Sequence, residues 1–285
     1  MAEQAANPSK ARKIALRTVT GGVLTAIFLT LMWHPALEAG FGLFVVVLCG
    51  VGLYEYYAIV RAREISPETI GGILAGTAVT LSGYFDSVIL TNFLLFGGCL
   101  LVSALHIVRG QHSVAGLAST VFGVFYVGWF GAHVLLLHHI APAGAGMVTV
   151  LFTAVVLTDT AAYFVGSAIG RHKLAPKASP NKTWEGSIGG FVFTLAGMAV
   201  LCRLHAGSMI PGLPEWGLGG YLYAGAVLSI ASQVGDLAES CLKRDAGVKD
   251  SGMLFPGHGG VLDRCDGFLF AAPVLYYMAV PWFTI

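Results

Sequence analysis

Hydrophobic positions gather into about nine runs, at 18–33, 40–60, 70–85, 87–108, 115–139, 146–169, 186–204, 221–242 and 267–284. Most reach the roughly 20 residues a helix needs to cross a hydrocarbon core. The third is short and fits a re-entrant segment as well as a span. Gly, Pro and charged residues break the runs, as turns do. The pattern predicts an all-α polytopic membrane protein with about nine transmembrane helices and a cytosol-facing polar cavity. Its organisation reads as a cytoplasmic N-terminal segment (1–17), N-terminal transmembrane helices (18–140) and a C-terminal catalytic region (141–285). Neither a tandem repeat nor a separate soluble domain stands out.

Composition agrees. Hydrophobic residues make 56% of the 285-residue chain and charged residues 11%, against about 25% charged in soluble domains. Lys10, Arg12 and Lys13 before an apolar run could mimic a signal peptide, but the many later spans favour an uncleaved first helix. With the N-terminus in the cytoplasm, every Lys and Arg except Arg203 falls on the cytoplasmic side, as the positive-inside rule requires. The polar loops 170–185 and 243–266 then face the cytoplasm. Cys49, Cys99, Cys202, Cys241 and Cys265 are odd in number and scattered, which argues for small apolar fillers and against a disulfide framework. The 38 glycines are about twice the usual share. Pairs such as Gly189-Gly190 and Gly219-Gly220 read as helix-packing surfaces.

Acids inside a bilayer cost about 2.5–3.5 kcal/mol each on insertion scales, so their positions carry information. Glu55, beside Tyr54, Tyr56 and Tyr57, reads as a satisfied hydrogen-bond partner. Asp159 reads equally well as packing or as site. On the eighth span Ser232, Asp236, Glu239, Ser240 and Lys243 recur at spacings of three and four, which predicts one polar stripe. Asp236 lies within reach of a water-filled cavity. Asp263 and Asp266, three apart, either point the same way from a helix start or cap it. With Asp236 they could form the partial oxygen shell that Mg²⁺ takes alongside phosphates and water. No second His or Cys stands at ligand spacing from His258, which argues against zinc.

Ser179 and Pro180 predict a helix start, with Lys182 and Thr183 at an anion-binding N-terminus. A basic loop on lipid head groups is the alternative reading.

Four blocks together resemble the phosphatidate cytidylyltransferases, or CDP-diacylglycerol synthases. They are Asp159-Thr-Ala-Ala-Tyr163-Phe-Val-Gly166, Ser179-Pro-Asn-Lys-Thr-Trp-Glu-Gly186, Gly235-Asp236-Leu-Ala-Glu239-Ser240, and the long segment from Ser240 through Lys249-Asp250, Pro256-Gly-His258-Gly-Gly and Asp263-Arg264-Cys265-Asp266. The resemblance covers about 157–267; the N-terminal half matches only as generic spans. Cys265 departs from the larger apolar residue or Thr usual there.

The resemblance implies an inner-membrane enzyme, a homodimer, that joins CTP and phosphatidate into CDP-diacylglycerol and pyrophosphate without a nucleic-acid partner. It implies Mg²⁺, with a second metal or a monovalent cation as an option. Asp236, Asp263 and Asp266 would hold the metal, and Lys243, Arg244, Lys249 and Arg264 would neutralise phosphate charge. Ser179, Asn181, Lys182, Thr183, Ser240, Asp250, His258 and Asp159 would bind substrate. A polyprenol kinase-like enzyme using CTP and a secondary transporter are the alternatives. A CDP-alcohol phosphotransferase is disfavoured, because its DGxxAR arrangement is absent.

Overall fold

The computed structural model describes residues 10–110, 113–210, 212–252 and 259–283, with backbone alone at 10–20 and 281–283. Each apolar run is helical: α1 (Lys10–Trp33), α2 (Glu38–Arg61), α3 (Thr69–Ser82), α4 (Val88–Val108), α5 (Val114–Gly123), α6 (Phe130–His138), α7 (Gly144–Ile169), α8 (Trp184–Ala206), α9 (Gly217–Asp245) and α10 (Leu262–Phe283). A π-helical turn, Val124–Trp129, joins α5 to α6 in one path. Among the described residues, five segments are long and apolar enough to cross a membrane: Pro35–Arg61, Val88–Val108, Val114–His138, Gly144–Ile169 and Trp184–Ala206. The chain is therefore an all-α integral membrane protein, since in lipid a helix satisfies its own backbone polar groups. α3 has 14 residues, about 21 Å of helix, less than a full hydrocarbon core.

The helix ends sort into two faces. At one, Arg63 pairs with Asp245 at 3.2 Å, Arg109 pairs with Glu68, and Arg244 reaches the Ala178 carbonyl at 3.3 Å. This face carries the loops after α2, α4, α7 and α9, and is called the polar face below. At the opposite face His138 meets the Met32 carbonyl at 3.0 Å and His139 meets Glu38 at 3.0 Å.

Packing depends on small residues. A Cβ at Gly190 would lie 2.7 Å from the Thr158 carbonyl, so α7 and α8 nearly touch backbones. Gly189 likewise packs on Val165 and Gly220 on Trp216, whereas Gly219 meets open space. Beneath the polar face, Thr158 hydrogen-bonds Thr194 at 2.7 Å and Ser229 at 3.0 Å, joining α7, α8 and α9 through fully buried hydroxyls. The described cysteines are all free thiols; Cys241 is exposed, so the filler reading fails for it.

One predicted feature is replaced. Residues after α7 form an antiparallel hairpin, β1 (Lys173–Ala175) with β2 (Ser179–Thr183), pairing Lys173 with Thr183 and Ala175 with Ser179. Ser179 therefore does not cap α8. Thr183 does, its hydroxyl accepting from Gly186 N–H at 3.2 Å. The hairpin prevails because Glu185 accepts the backbone N–H groups of Arg171 and His172 and bonds His172 Nδ1 at 2.6 Å, locking its base to the helix start. Pro180 is tolerated because a two-stranded ribbon leaves outward N–H positions unpaired.

Candidate active site

A polar pocket of about 480 Å³ opens among α7, β2, α8 and α9. Asp159, Lys182 and Asp236 line it, with Asn181, Ser187 and Gln233. Lys182 forms an ion pair with Asp236, both about 70% screened from solvent. Ser240, one turn along α9, points its hydroxyl at Asp236 Oδ1 at 3.4 Å. Asp159 faces the same space from α7, and its charge is felt by Asp236, Lys182 and Arg264.

Capping by Thr183 sets the position of Lys182. The strand immediately before α8 holds the lysine at the pocket wall, while Thr183 itself is buried against Gly166 and Gly170. Ser187 and Gln233 bond across α8 and α9, and Gln233 Nε2 donates to Ser229 at 3.3 Å, tying this wall to the buried hydroxyl chain. The sequence reading missed Ser187 and Gln233. Gln233 sits three residues before Asp236 on the same stripe, a signal that was present.

The stripe on α9 divides. Asp236 and Ser240 face the pocket, whereas Glu239 and Lys243 face α10. Three residues along a helix turn about 300°, so positions 236 and 239 diverge by some 60°, enough to address different neighbours. Lys243 Nζ donates to Glu239 Oε2 at 2.6 Å and Asp263 Oδ1 at 2.5 Å. Asp263 Oδ2 accepts from Ser251 N–H at 2.9 Å, Ser251 hydroxyl at 2.9 Å and Gly260 N–H at 2.8 Å. Asp263 thus clasps both ends of the segment that precedes α10.

Glu55 completes the clasp from α2. Its Oε1 accepts from Val261 N–H at 3.1 Å and Oε2 from Leu262 N–H at 2.8 Å, and the single Ser251 hydroxyl proton is shared between Glu55 Oε2 at 3.0 Å and Asp263 Oδ2. The acid is 4% exposed and satisfies the first orphan N–H groups of α10. The reading of Glu55 as a satisfied partner holds.

Asp236, Asp263 and Asp266 do not converge on one point. Asp236 is in the pocket and Asp263 in the clasp. Asp266 is buried beneath, its Oδ1 accepting from Gly267 N–H at 2.8 Å. Gly235 lets α10 approach so closely that a Cβ there would lie 2.5 Å from the Asp266 carbonyl, and Asp266 feels the charges of Asp236, Glu239 and Asp159. Among the described residues no three His, Cys, Asp or Glu side chains form a metal cage. The donors fit a different mode. Mg²⁺ ordinarily takes one or two carboxylates, with phosphates and water completing its shell. Asp236 and Asp159 offer that number in one pocket, and Glu239 Oε1 is a buried acceptor without a hydrogen-bond donor.

The remaining predicted residues lie around this centre. Arg244, Lys249 and Asp250 are exposed on the polar face. Arg264 projects from the first turn of α10. Ser179 and Asn181 lie on the hairpin strand, Asn181 at the pocket wall. His258 lies outside the described residues.

Comparison with known proteins decides the lineage. The family model described as "Cytidylyltransferase family" matches residues 15–281. The chain belongs to the cytidylyltransferase family. Relatives named phosphatidate cytidylyltransferase include one from Brucella suis, 39% identical over 91% of both chains. Another, from Bacillus subtilis, is 33% identical over 92% of this chain and 96% of its own. A third, from Synechocystis, is 32% identical over 81% and 85%. For this cytidylyltransferase the similarity spans α1 to α10, so the N-terminal helices that looked generic belong to the family unit too.

Proposed function

We propose that this chain is an integral membrane nucleotidyltransferase that transfers the cytidylyl group of CTP to phosphatidate, giving CDP-diacylglycerol and pyrophosphate for phospholipid synthesis. The observation that carries this reading is the joining of Lys182, Asp236 and Asp159 in one pocket at the polar face, in a chain whose named relatives are phosphatidate cytidylyltransferases.

A phosphatidate oxygen attacks the α-phosphorus of CTP, the bond to the β-phosphate oxygen breaks, and pyrophosphate leaves. Such transfers rest on positioning and charge neutralisation. Lys182, freed from Asp236 as a phosphate enters, neutralises that phosphate. Arg244, Lys249 and Arg264 spread further positive charge over the mouth. Lys243 keeps Asp263 and Glu239 in place and so keeps Arg264, one residue on, correctly aimed. Asp236 and Asp159 would hold Mg²⁺, which when bound neutralises phosphate oxygens and stabilises the leaving group.

The proposal extends to topology: about nine spans, the polar face and N-terminus in the cytoplasm of a bacterial inner membrane, and a homodimer. The near-exclusive placement of Lys and Arg on that face supports the orientation. The deciding assay supplies purified protein with phosphatidate, Mg²⁺ and CTP labelled at its α-phosphate. Label should enter the lipid as CDP-diacylglycerol. Release of CDP with a newly phosphorylated lipid would establish kinase chemistry instead, and solute uptake without CTP consumption would establish a transporter.

A further inference from the structure

A second cavity, of about 390 Å³, lies among α1, α2, α6, α7 and α10. Its walls are almost wholly apolar, with Leu48, Val134, Leu151 and Phe268 among them, and its one charged lining residue is Arg264. Arg264 sits at the polar-face end, and Asp159 of the active-site pocket lies within its field. Rings line the far half: Phe28 stacks on Phe152 at 5.2 Å and tilts against Phe44 at 6.4 Å.

The depth can be read along α7. On α7 the lining runs from Val148 to Val156, eight residues, or about 12 Å at 1.5 Å per residue. Half of a hydrocarbon core is about 15 Å. A cationic mouth beside the active site, an apolar depth of most of one leaflet and aromatic rings in its far half match one kind of occupant, an acyl chain whose head group is anionic. Water is excluded by the lining, since a water needs two or more polar partners.

We propose that this groove seats one acyl chain of phosphatidate, with the lipid phosphate at Arg264, and thereby delivers the attacking oxygen to the pocket holding Asp236. The inference rests on the reading of the chain as a phosphatidate cytidylyltransferase. It assigns lipid-chain selectivity to the N-terminal helices, which otherwise have no part in the chemistry.

Phosphatidate carrying a diazirine near the end of one acyl chain, photolysed with the full-length protein in nanodiscs, tests the site without activity. Label is expected on the segments around Leu48 and Phe152, displaced by excess dioleoyl phosphatidate but not by dioleoyl phosphatidylcholine. Label confined to outward residues such as Ile89, Phe93 and Phe96 of α4, or indifferent to competition, overturns the groove. Leu48→Trp and Val156→Trp, both at half-open wall positions, give the kinetic arm. Each should raise KM for dioleoyl phosphatidate at least about tenfold by displacing chain methylenes, while KM for dihexanoyl phosphatidate and for CTP stays unchanged. Equal effects on long and short chains, or none, also overturn it. Wild-type protein that incorporates no label from CTP defeats the enzymatic reading alone, because photolabelling still reports the groove.

Discussion

Glu55→Gln provides a sharp test of how the N-terminal helices support the site. The glutamate on α2 accepts two backbone hydrogen bonds from residues about two hundred positions away, Val261 N–H and Leu262 N–H, and shares the Ser251 hydroxyl with Asp263. Nothing else can replace it there. A Cβ at Gly260 would stand 2.4 Å from Oε2 and one at Gly252 2.2 Å from Oε1, so both backbones press directly on the carboxylate. Each donor deprived of a buried acceptor costs about 1–3 kcal/mol. Removing the acceptor of both N–H groups places Glu55→Ala at roughly 2–6 kcal/mol. The amide keeps one oxygen and turns an N–H₂ toward a donor, so Glu55→Gln should cost about 2 kcal/mol locally. That corresponds to roughly thirtyfold faster amide exchange wherever the clasp opens. Hydrogen exchange read by mass spectrometry should show this acceleration at 259–264 while α4 and α8 stay protected, with turnover falling in parallel. Unchanged exchange at 259–264 with full activity would refute the assignment of Glu55 as the anchor of α10.

Other outcomes follow from the same geometry. Asp236→Asn should lower turnover by about 10²-fold or more without changing thermal stability, since this acid serves a half-open pocket and phosphoryl transfer depends on its charge. Asp263→Asn should destabilise the protein by roughly 2–4 kcal/mol in thermal or denaturant unfolding, because it leaves Lys243 short of a charged partner and weakens three bonds to Oδ2; equal stability of the two variants would contradict the division of the carboxylates. Chelation with EDTA should abolish turnover and added Mg²⁺ restore it, with Asp236→Asn shifting the Mg²⁺ titration to higher concentration and Asp263→Asn leaving it in place. Thr183→Ala should cost about 1 kcal/mol through loss of the α8 cap and raise KM for CTP by displacing Lys182; an unchanged KM would separate cap from site.

Much of the architecture was legible. Lengths of apolar run located every helix, and Gly and Pro located the turns. The acids of the last third and Lys182 stood out in the sequence, and the structure brings Asp236, Asp159 and Lys182 into one pocket. The setting of Lys182 was misread: Ser179-Pro180 looks like a cap, but the bonds of Glu185 to Arg171 and His172 favour a hairpin and hand the cap to Thr183. Spacing of three and four suggested a single stripe on α9, yet Asp236 and Glu239 serve opposite neighbours. Glu55 was recognised as satisfied, but its partners lie across the chain and have no local signature.

By itself the sequence determined which segments become apolar helices, five of them among the described residues long enough to cross a bilayer, and which face collects the cations. Those outcomes follow from the desolvation of each segment's own backbone and side chains, quantities local in the chain. Only the tertiary structure decided which acids share a pocket with a lysine, which one staples a helix start, and where an apolar groove meets an arginine. These depend on how each helix is rotated and how closely glycines such as Gly190 and Gly235 let neighbours approach. A rotation of a few tens of degrees redirects a carboxylate while leaving the hydropathy pattern unchanged.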